Sequence, residues 1–259
     1  MTWQVRDLIE IWDAALCILL PFFGTALGAA AVFFLRREAR PGLQKFLLGF
    51  SAGVMLAAMV WSLLVPAMEM EAAAGRAPWL PAAAGFFIGI GGLLGLDALL
   101  SRAEKRPEKG SMLMLAVTLH NLPEGMAVGV ALAGMLAGET VVTMASAAAL
   151  SLGIAIQNIP EGAIISSPLA AAGKSKPRAF AAGALSGAVE PLGAVVTLLL
   201  TRQVTALLPW VLAFAAGCML YVVVVELIPE AAQGEKSPAG VVGASLGFVV
   251  MMLLDVLLG

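Results

Sequence analysis

The chain alternates long apolar runs with short polar breaks, and the runs share one length. About 20 consecutive apolar residues are what a helix needs to cross the hydrocarbon core of a bilayer. Eight such runs are read, at roughly 12–35, 44–66, 79–100, 112–136, 140–169, 180–201, 207–230 and 239–258. The breaks are charged or rich in Gly and Pro, as at Arg36-Arg37-Glu38-Ala39-Arg40-Pro41-Gly42, between Arg102 and Lys109, and at Gly173-Lys174-Ser175-Lys176-Pro177-Arg178. Lipid offers no partner to a backbone amide, so each run is expected to be a helix that satisfies its own hydrogen bonds. The pattern predicts an all-α integral membrane protein, with residues 1–259 forming a single transmembrane domain.

Charge orients the helices. Short cytoplasmic connections collect Lys and Arg. The connections after the first, third, fifth and seventh runs hold Arg36, Arg37, Arg40 and Lys45; Arg102, Lys105, Arg106 and Lys109; Lys174, Lys176 and Arg178; and Lys236, which is twelve of the fifteen basic residues. Arg6, Arg76 and Arg202 fall on the other side. Eight crossings with both termini extracytoplasmic sort the charges in this way, whereas a miscounted span would mix them.

Composition agrees. The chain is 61% hydrophobic and 12% charged, against about 25% charged in a soluble domain. Its formal net charge of -2 leaves no concentrated basic face for a nucleic acid. Cys17 and Cys218 sit inside apolar runs and read as buried packing residues. The first residues carry Asp7 and Glu10 and lack a basic start, so no cleaved leader is expected. Short loops and Ala-rich spans point to a multi-pass protein of a prokaryotic plasma membrane, the cell inner membrane.

Internal similarity gives the arrangement of the helices. Phe50-Ser51-Ala52-Gly53-Val54-Met55-Leu56 in the second run resembles Phe214-Ala215-Ala216-Gly217-Cys218-Met219-Leu220 in the seventh. Thr25-Ala26-Leu27-Gly28-Ala29 in the first resembles Glu190-Pro191-Leu192-Gly193-Ala194 in the sixth. The third and eighth share Leu96-Asp97-Ala98-Leu99-Leu100 and Leu254-Asp255-Val256-Leu257-Leu258. Each pair lies five crossings apart, so its members run oppositely through the membrane. Helices 1–3 and 6–8 are expected to form an inverted repeat around helices 4 and 5, a transporter architecture with its site near mid-membrane.

At the middle of those two helices stand His120-Asn121-Leu122-Pro123-Glu124-Gly125 and Gln157-Asn158-Ile159-Pro160-Glu161-Gly162. Carboxylates at that depth are costly and mark function. Positions i and i+4 share a helical face, so His120 with Glu124 and Gln157 with Glu161 point at one centre, with Asn121 and Asn158 one position round. Pro123 and Pro160 free the carbonyls of Leu119 and Ile156 beside them. An imidazole, carboxylates and amides suit zinc, iron(II), manganese(II) or cadmium(II). With Glu124 and Glu161 able to bridge, two cations about 4 Å apart fit such a set. Glu190, the third intramembrane carboxylate, completes it.

Other polar positions order a path. Met55 and Ser62 share a face of helix 2, and Glu69 and Glu71 close its outer end, where they would attract cations. Glu226 and Glu230 share a face at the cytoplasmic end of helix 7, and Ser62 aligns with Glu226 in the repeat.

The two motifs resemble those of the ZIP (Zrt/Irt-like) family of divalent-metal transporters, its GufA-type branch most closely. The resemblance implies a transport site between helices 4 and 5, two adjacent metal positions, and movement of cations into the cytosol by sliding of a helix 1–4–5–6 bundle against the other helices. It implies that His120, Glu124, Gln157 and Glu161 frame the first metal and Asn121, Asn158, Glu161 and Glu190 the second, with Glu124 close enough to bridge. Some relatives carry Asp at the position of Asn158, so the second position here has lost a charge. Others carry His at the position of Gln157, which bears on zinc preference. The long His-rich loop of many eukaryotic relatives between helices 3 and 4 is missing.

The expected function is alternating-access transport of a divalent cation, zinc first and iron, manganese or cadmium after it, with no cofactor beyond the cargo. A metal-selective channel on the same site stays open. An intramembrane metalloenzyme is disfavoured, because a single His and no His-Glu-x-x-His leave a hydrolytic zinc site hard to assemble. The partners expected are metal ions and the lipid bilayer, with a homodimer left open.

Overall fold

The computed structural model describes residues 5–34, 41–102, 109–138, 142–171, 173–201, 205–234 and 237–258, and their regular structure is helical throughout. In chain order the long helices are α1 (Ile11–Phe34), α2 (Pro41–Ala73), α3 (Trp79–Leu99), α4 (Lys109–Leu136), α5 (Met144–Ser167), α6 (Lys176–Leu200), α7 (Leu208–Ala232) and α8 (Ala239–Leu257). Among the described residues, all of these except α4, seven helices, are long and apolar enough to cross a membrane. Side chains of α4 are described from Asn121, and from there to Leu136 it is an apolar helix. The protein is a multi-pass membrane protein. Of the basic residues that sorted the loops, Arg36, Arg37, Arg40, Lys105, Arg106, Arg202 and Lys236 lie outside the described residues.

Helix ends depart from hydropathy where helix formers continue past the apolar stretch. Expected to stop near 66, α2 runs on to Ala73 through Met68-Glu69-Met70-Glu71-Ala72, all good helix formers. It ends before Gly75, whose φ of 69° is the left-handed conformation of a helix stop. The uninterrupted helix expected over 180–201 is also corrected: α6 consists of Lys176–Ser186 and Val189–Thr201, with a turn at Gly187. Pro191 is the cause, since it has no N–H to donate and is tolerated only in a first turn. The break puts Glu190 at the start of a helical segment.

Two π-helical turns interrupt the α pattern, at Met59–Leu64 in α2 and at Val223–Leu227 in α7. Each is followed by a proline near the start of the next α segment, Pro66 and Pro229. A proline ring pushes away the carbonyl four residues earlier, here that of Ser62 or Val225, and the widened turn absorbs the displacement.

Because lipid is as apolar as leucine, helices in a membrane associate by close packing of small residues rather than by a hydrophobic drive. The closest pairings are α2 with α8, α3 with α7, α1 with α5, and α4 with α6. At all four, glycine lets backbones touch. Gly85 and Gly89 of α3 lie against Trp210 and Phe214 of α7, while Gly243 and Gly247 of α8 lie against Phe46 and Phe50 of α2. Gly28 and Gly162 knit α1 to α5 at Ile159 and Thr25, and Gly193 and Gly125 knit α4 to α6 at Leu122 and Glu190. Helices α1, α4, α5 and α6 thus form one group and α2, α3, α7 and α8 another, meeting mainly where α2 faces α5 and α4 faces α7. Met55, Leu132, Leu150, Ile154, Leu212 and Met219 fill the core along that boundary.

Candidate metal centre

Polar side chains gather where α4, α5 and α6 meet. Asn121, Glu124, Gln157, Asn158 and Glu190 are fully buried, and Glu161 is 7% exposed. Burying a carboxylate costs several kcal/mol unless partners replace its water. The partners come from four helices. Gln157 donates its amide to Glu124 Oε1 and, at 3.3 Å, to Asn158 Oδ1. Asn121 Nδ2 donates to the carbonyl of Ser186 at 3.1 Å, a carbonyl at the break in α6. The carbonyl of Pro21 in α1 accepts from Asn158 Nδ2 at 3.5 Å. Glu190 Oε1 accepts from the Thr25 hydroxyl at 2.8 Å.

Those bonds leave acceptors over. Asn121 Oδ1, Glu124 Oε2, Gln157 Oε1 and Glu190 Oε2 are buried with no hydrogen-bond partner among the described residues. Glu124 is electrostatically repelled by both Glu161 and Glu190, and Glu190 by Glu161. Buried polar atoms are nearly always satisfied. An oxygen-rich, mutually repelling set in an apolar bundle is the complement of a cation.

Each residue singled out from the sequence has its place. The backbone of His120 lies in α4, and its side chain is outside the described residues. Among the described residues no three His, Cys, Asp or Glu side chains close into a metal-holding group. Glu124, Glu161 and Glu190 do not do so alone, and half of the six polar groups are amides. Met55 is fully buried in the core. Ser62, in the π turn of α2, donates to Asp255 Oδ1 of α8 at 2.6 Å. Ser62, Glu69, Ser146 and Asp255 line a cavity of about 290 Å³ between α2, α5 and α8. Of the two outer glutamates, Glu69 faces that cavity, whereas Glu71 is engaged by Arg76 through bonds of 2.8 and 2.6 Å. Glu226 lies in the π turn of α7 near Tyr221, and Glu230 is exposed at the last turn of α7. Cys17 and Cys218 are free and buried, as expected.

Sequence reasoning passed over Thr25, Pro21, Ser51 and Ser186. Ser51 of α2 donates to the carbonyl of Gln157 at 3.0 Å, a polar link from the other helix group into the centre. A signal for Thr25 existed, since the internal similarity pairs it with Glu190. Ser51 has none, because a serine in an apolar span commonly bonds back to its own helix.

Comparison with known proteins adds the following. A family model described as ZIP zinc transporter matches residues 108–255, which contain both motifs, all of α4 to α7 and α8 as far as Asp255. The zinc transporter GufA of Myxococcus xanthus is 37% identical, over 93% of this chain and 97% of its own. The zinc transporter ZIP11 of Bos taurus is 36% identical, over 91% of this chain and 94% of its own. For the zinc transporter ZIPB of Bordetella bronchiseptica the figures are 36%, 92% and 79%.

Proposed function

The chain belongs to the ZIP zinc-transporter family, and from that premise we propose that it carries zinc into the cytosol by alternating access through the centre between α4 and α5. It is a transporter and not an enzyme. The observation that carries the reading is the set of buried acceptor oxygens on Asn121, Glu124, Gln157 and Glu190, which among the described residues have no donor. A cation supplies what they lack.

Two cations sit side by side in this reading. His120, Glu124, Gln157 and Glu161 hold the first, and Asn121, Asn158, Glu161 and Glu190 the second, with Glu124 bridging. Asn158 in place of a carboxylate lowers the negative charge of the site, and Gln157 in place of an imidazole weakens a ligand, which together favour release and admit iron, manganese and cadmium beside zinc.

The transport cycle rests on an inverted repeat of eight crossings with both termini extracytoplasmic. Exchanging α1 with α6, α2 with α7, α3 with α8 and α4 with α5 carries the close contacts onto one another. Gly28 on Ile159 becomes Gly193 on Leu122, Gly162 on Thr25 becomes Gly125 on Glu190, and Gly217 on Phe86 becomes Gly53 on Ala244. The π turns exchange as well, Met59–Leu64 with Val223–Leu227. A pseudo-two-fold of this kind gives two end states of similar energy, one open to each side. The group α1, α4, α5 and α6 carries the site past the rest. Ser62 and Glu69 lie on the outer approach and Glu226 and Glu230 on the inner exit, in a prokaryotic plasma membrane. Zinc uptake into proteoliposomes tests the assignment: His120→Ala with Glu161→Ala should abolish it, and unchanged uptake would refute it.

A further inference from the structure

We infer that Thr25 is a positioning residue for the second cation, holding Glu190 so that its free oxygen faces the metal; this rests on the two-cation reading above. Thr25 lies in α1, fully buried, and its hydroxyl has one proton to give. Two acceptors are in reach, Glu190 Oε1 at 2.8 Å and the carbonyl of Pro21 at 3.5 Å. The shorter contact, to a carboxylate, takes the proton. With Oε1 held, rotation of the carboxylate about its last torsion is restrained, and Oε2, buried and without a partner among the described residues, favours one direction.

The surroundings are shaped to hold this pair. A Cβ on Gly187, at the break in α6, would stand 2.7 Å from the Thr25 side chain and 2.9 Å from Glu190 Oε1. A Cβ on Gly162 would collide with the backbone carbonyl of Thr25. Thr25 is therefore clasped by the α5 motif on one side and the α6 break on the other. The same turn of α1 also reaches Asn158 through the Pro21 carbonyl, so two residues of the second cation set are oriented by Pro21 and Thr25.

The repeat explains why this position holds a hydroxyl. Thr25 and Glu190 are counterparts, and their 2.8 Å contact puts both beside the pseudo-two-fold axis, where counterparts face each other. Two glutamates there would set two like charges at hydrogen-bond distance, which is strongly unfavourable in a low-dielectric interior. A donor on one side and an acceptor on the other resolves the conflict and breaks the symmetry of the site at one point.

Calorimetric zinc titration of the purified full chain tests this, with Thr25→Val removing the hydroxyl at constant shape and Thr25→Ser keeping it. Wild type should bind two equivalents. Thr25→Val should weaken one of them about 10- to 100-fold, the range for losing a hydrogen bond to a charged group, and leave the other unchanged. Thr25→Ser should stay within about threefold of wild type. On a Glu190→Gln background, Thr25→Val should add nothing, because the group it positions is gone. Two wild-type equivalents in Thr25→Val, loss in Thr25→Ser as large as in Thr25→Val, or additive losses with Glu190→Gln would each overturn the inference alone. A wild-type chain that binds a single zinc ion overturns the two-cation reading and this inference with it.

Discussion

Replacing Gly125 by alanine should push α6 away from α4 at Glu190, the carboxylate proposed for the second cation position. A Cβ at Gly125 would fall on the carbonyl oxygen of Glu190, well inside van der Waals contact. The atom it meets is helical backbone, which cannot rotate aside. Restoring an ordinary carbon–oxygen approach of about 3.3–3.6 Å from the 2.1 Å that the Cβ would have requires a shift of about 1.2–1.5 Å between the helices. Overpacking of this kind costs about 1–3 kcal/mol, and alanine returns about 1 kcal/mol in helix propensity. The net loss of stability is therefore small, about 0–2 kcal/mol. Function should suffer more, since about 1 Å of misplacement at a working centre costs up to about 10²-fold. Gly162→Ala, against the carbonyl of Thr25, should behave alike.

Zinc uptake into proteoliposomes and thermal melting in detergent, measured on the same preparations, separate the two effects. The expected result is a chain that melts within a few degrees of wild type and transports at least tenfold more slowly. Gly91→Ala and Gly95→Ala on α3 are the controls, because a Cβ there meets nothing within 4 Å. Both should transport at the wild-type rate. Normal uptake by Gly125→Ala, or equal damage from Gly91→Ala, would refute the reasoning.

Three further outcomes follow from the structure. Ser51→Ala removes the hydrogen bond from α2 to the Gln157 carbonyl, worth about 1 kcal/mol, and should change the uptake rate by about fivefold with Gln157 itself intact; initial-rate measurements check this. Protons compete with metal for Glu124, Glu161 and Glu190, so zinc affinity should fall as pH is lowered from neutral to mildly acidic, with protons released on binding; calorimetry in buffers of different ionisation enthalpy counts them, and a pH-independent affinity would contradict the site. Arg76→Ala breaks the pair with Glu71, whose arginine side is 54% exposed, and should cost less than about 1 kcal/mol by melting, with uptake unchanged.

What was legible in the sequence follows from what a membrane penalises. A carboxylate in an apolar run is conspicuous because lipid makes it expensive, so Glu124, Glu161 and Glu190 could be named with their amide neighbours from spacing alone. A glycine in an Ala-rich span carries no such penalty, and its meaning depends on the backbone opposite. The final glycine of each motif belonged to a recognised pattern, yet its role appeared only with Glu190 and Thr25 pressed against Gly125 and Gly162. The break at Gly187 was hidden for a related reason, since hydropathy runs unbroken through it and only Pro191 hinted that a helix had to restart. Thr25 shows how far the repeat could have gone. Aligning the first run with the sixth already paired that hydroxyl with the one carboxylate outside the two motifs. The missing step was geometric: similarity between two runs does not say whether the paired residues touch, and only the 2.8 Å bond between Thr25 and Glu190 does. Glycines let α5 draw in α1 at Thr25 and α4 draw in α6 at Glu190. The motif glycines thus belong to the proposed metal centre as much as its oxygens do, because they set the distance at which the fourth helix can reach the third carboxylate.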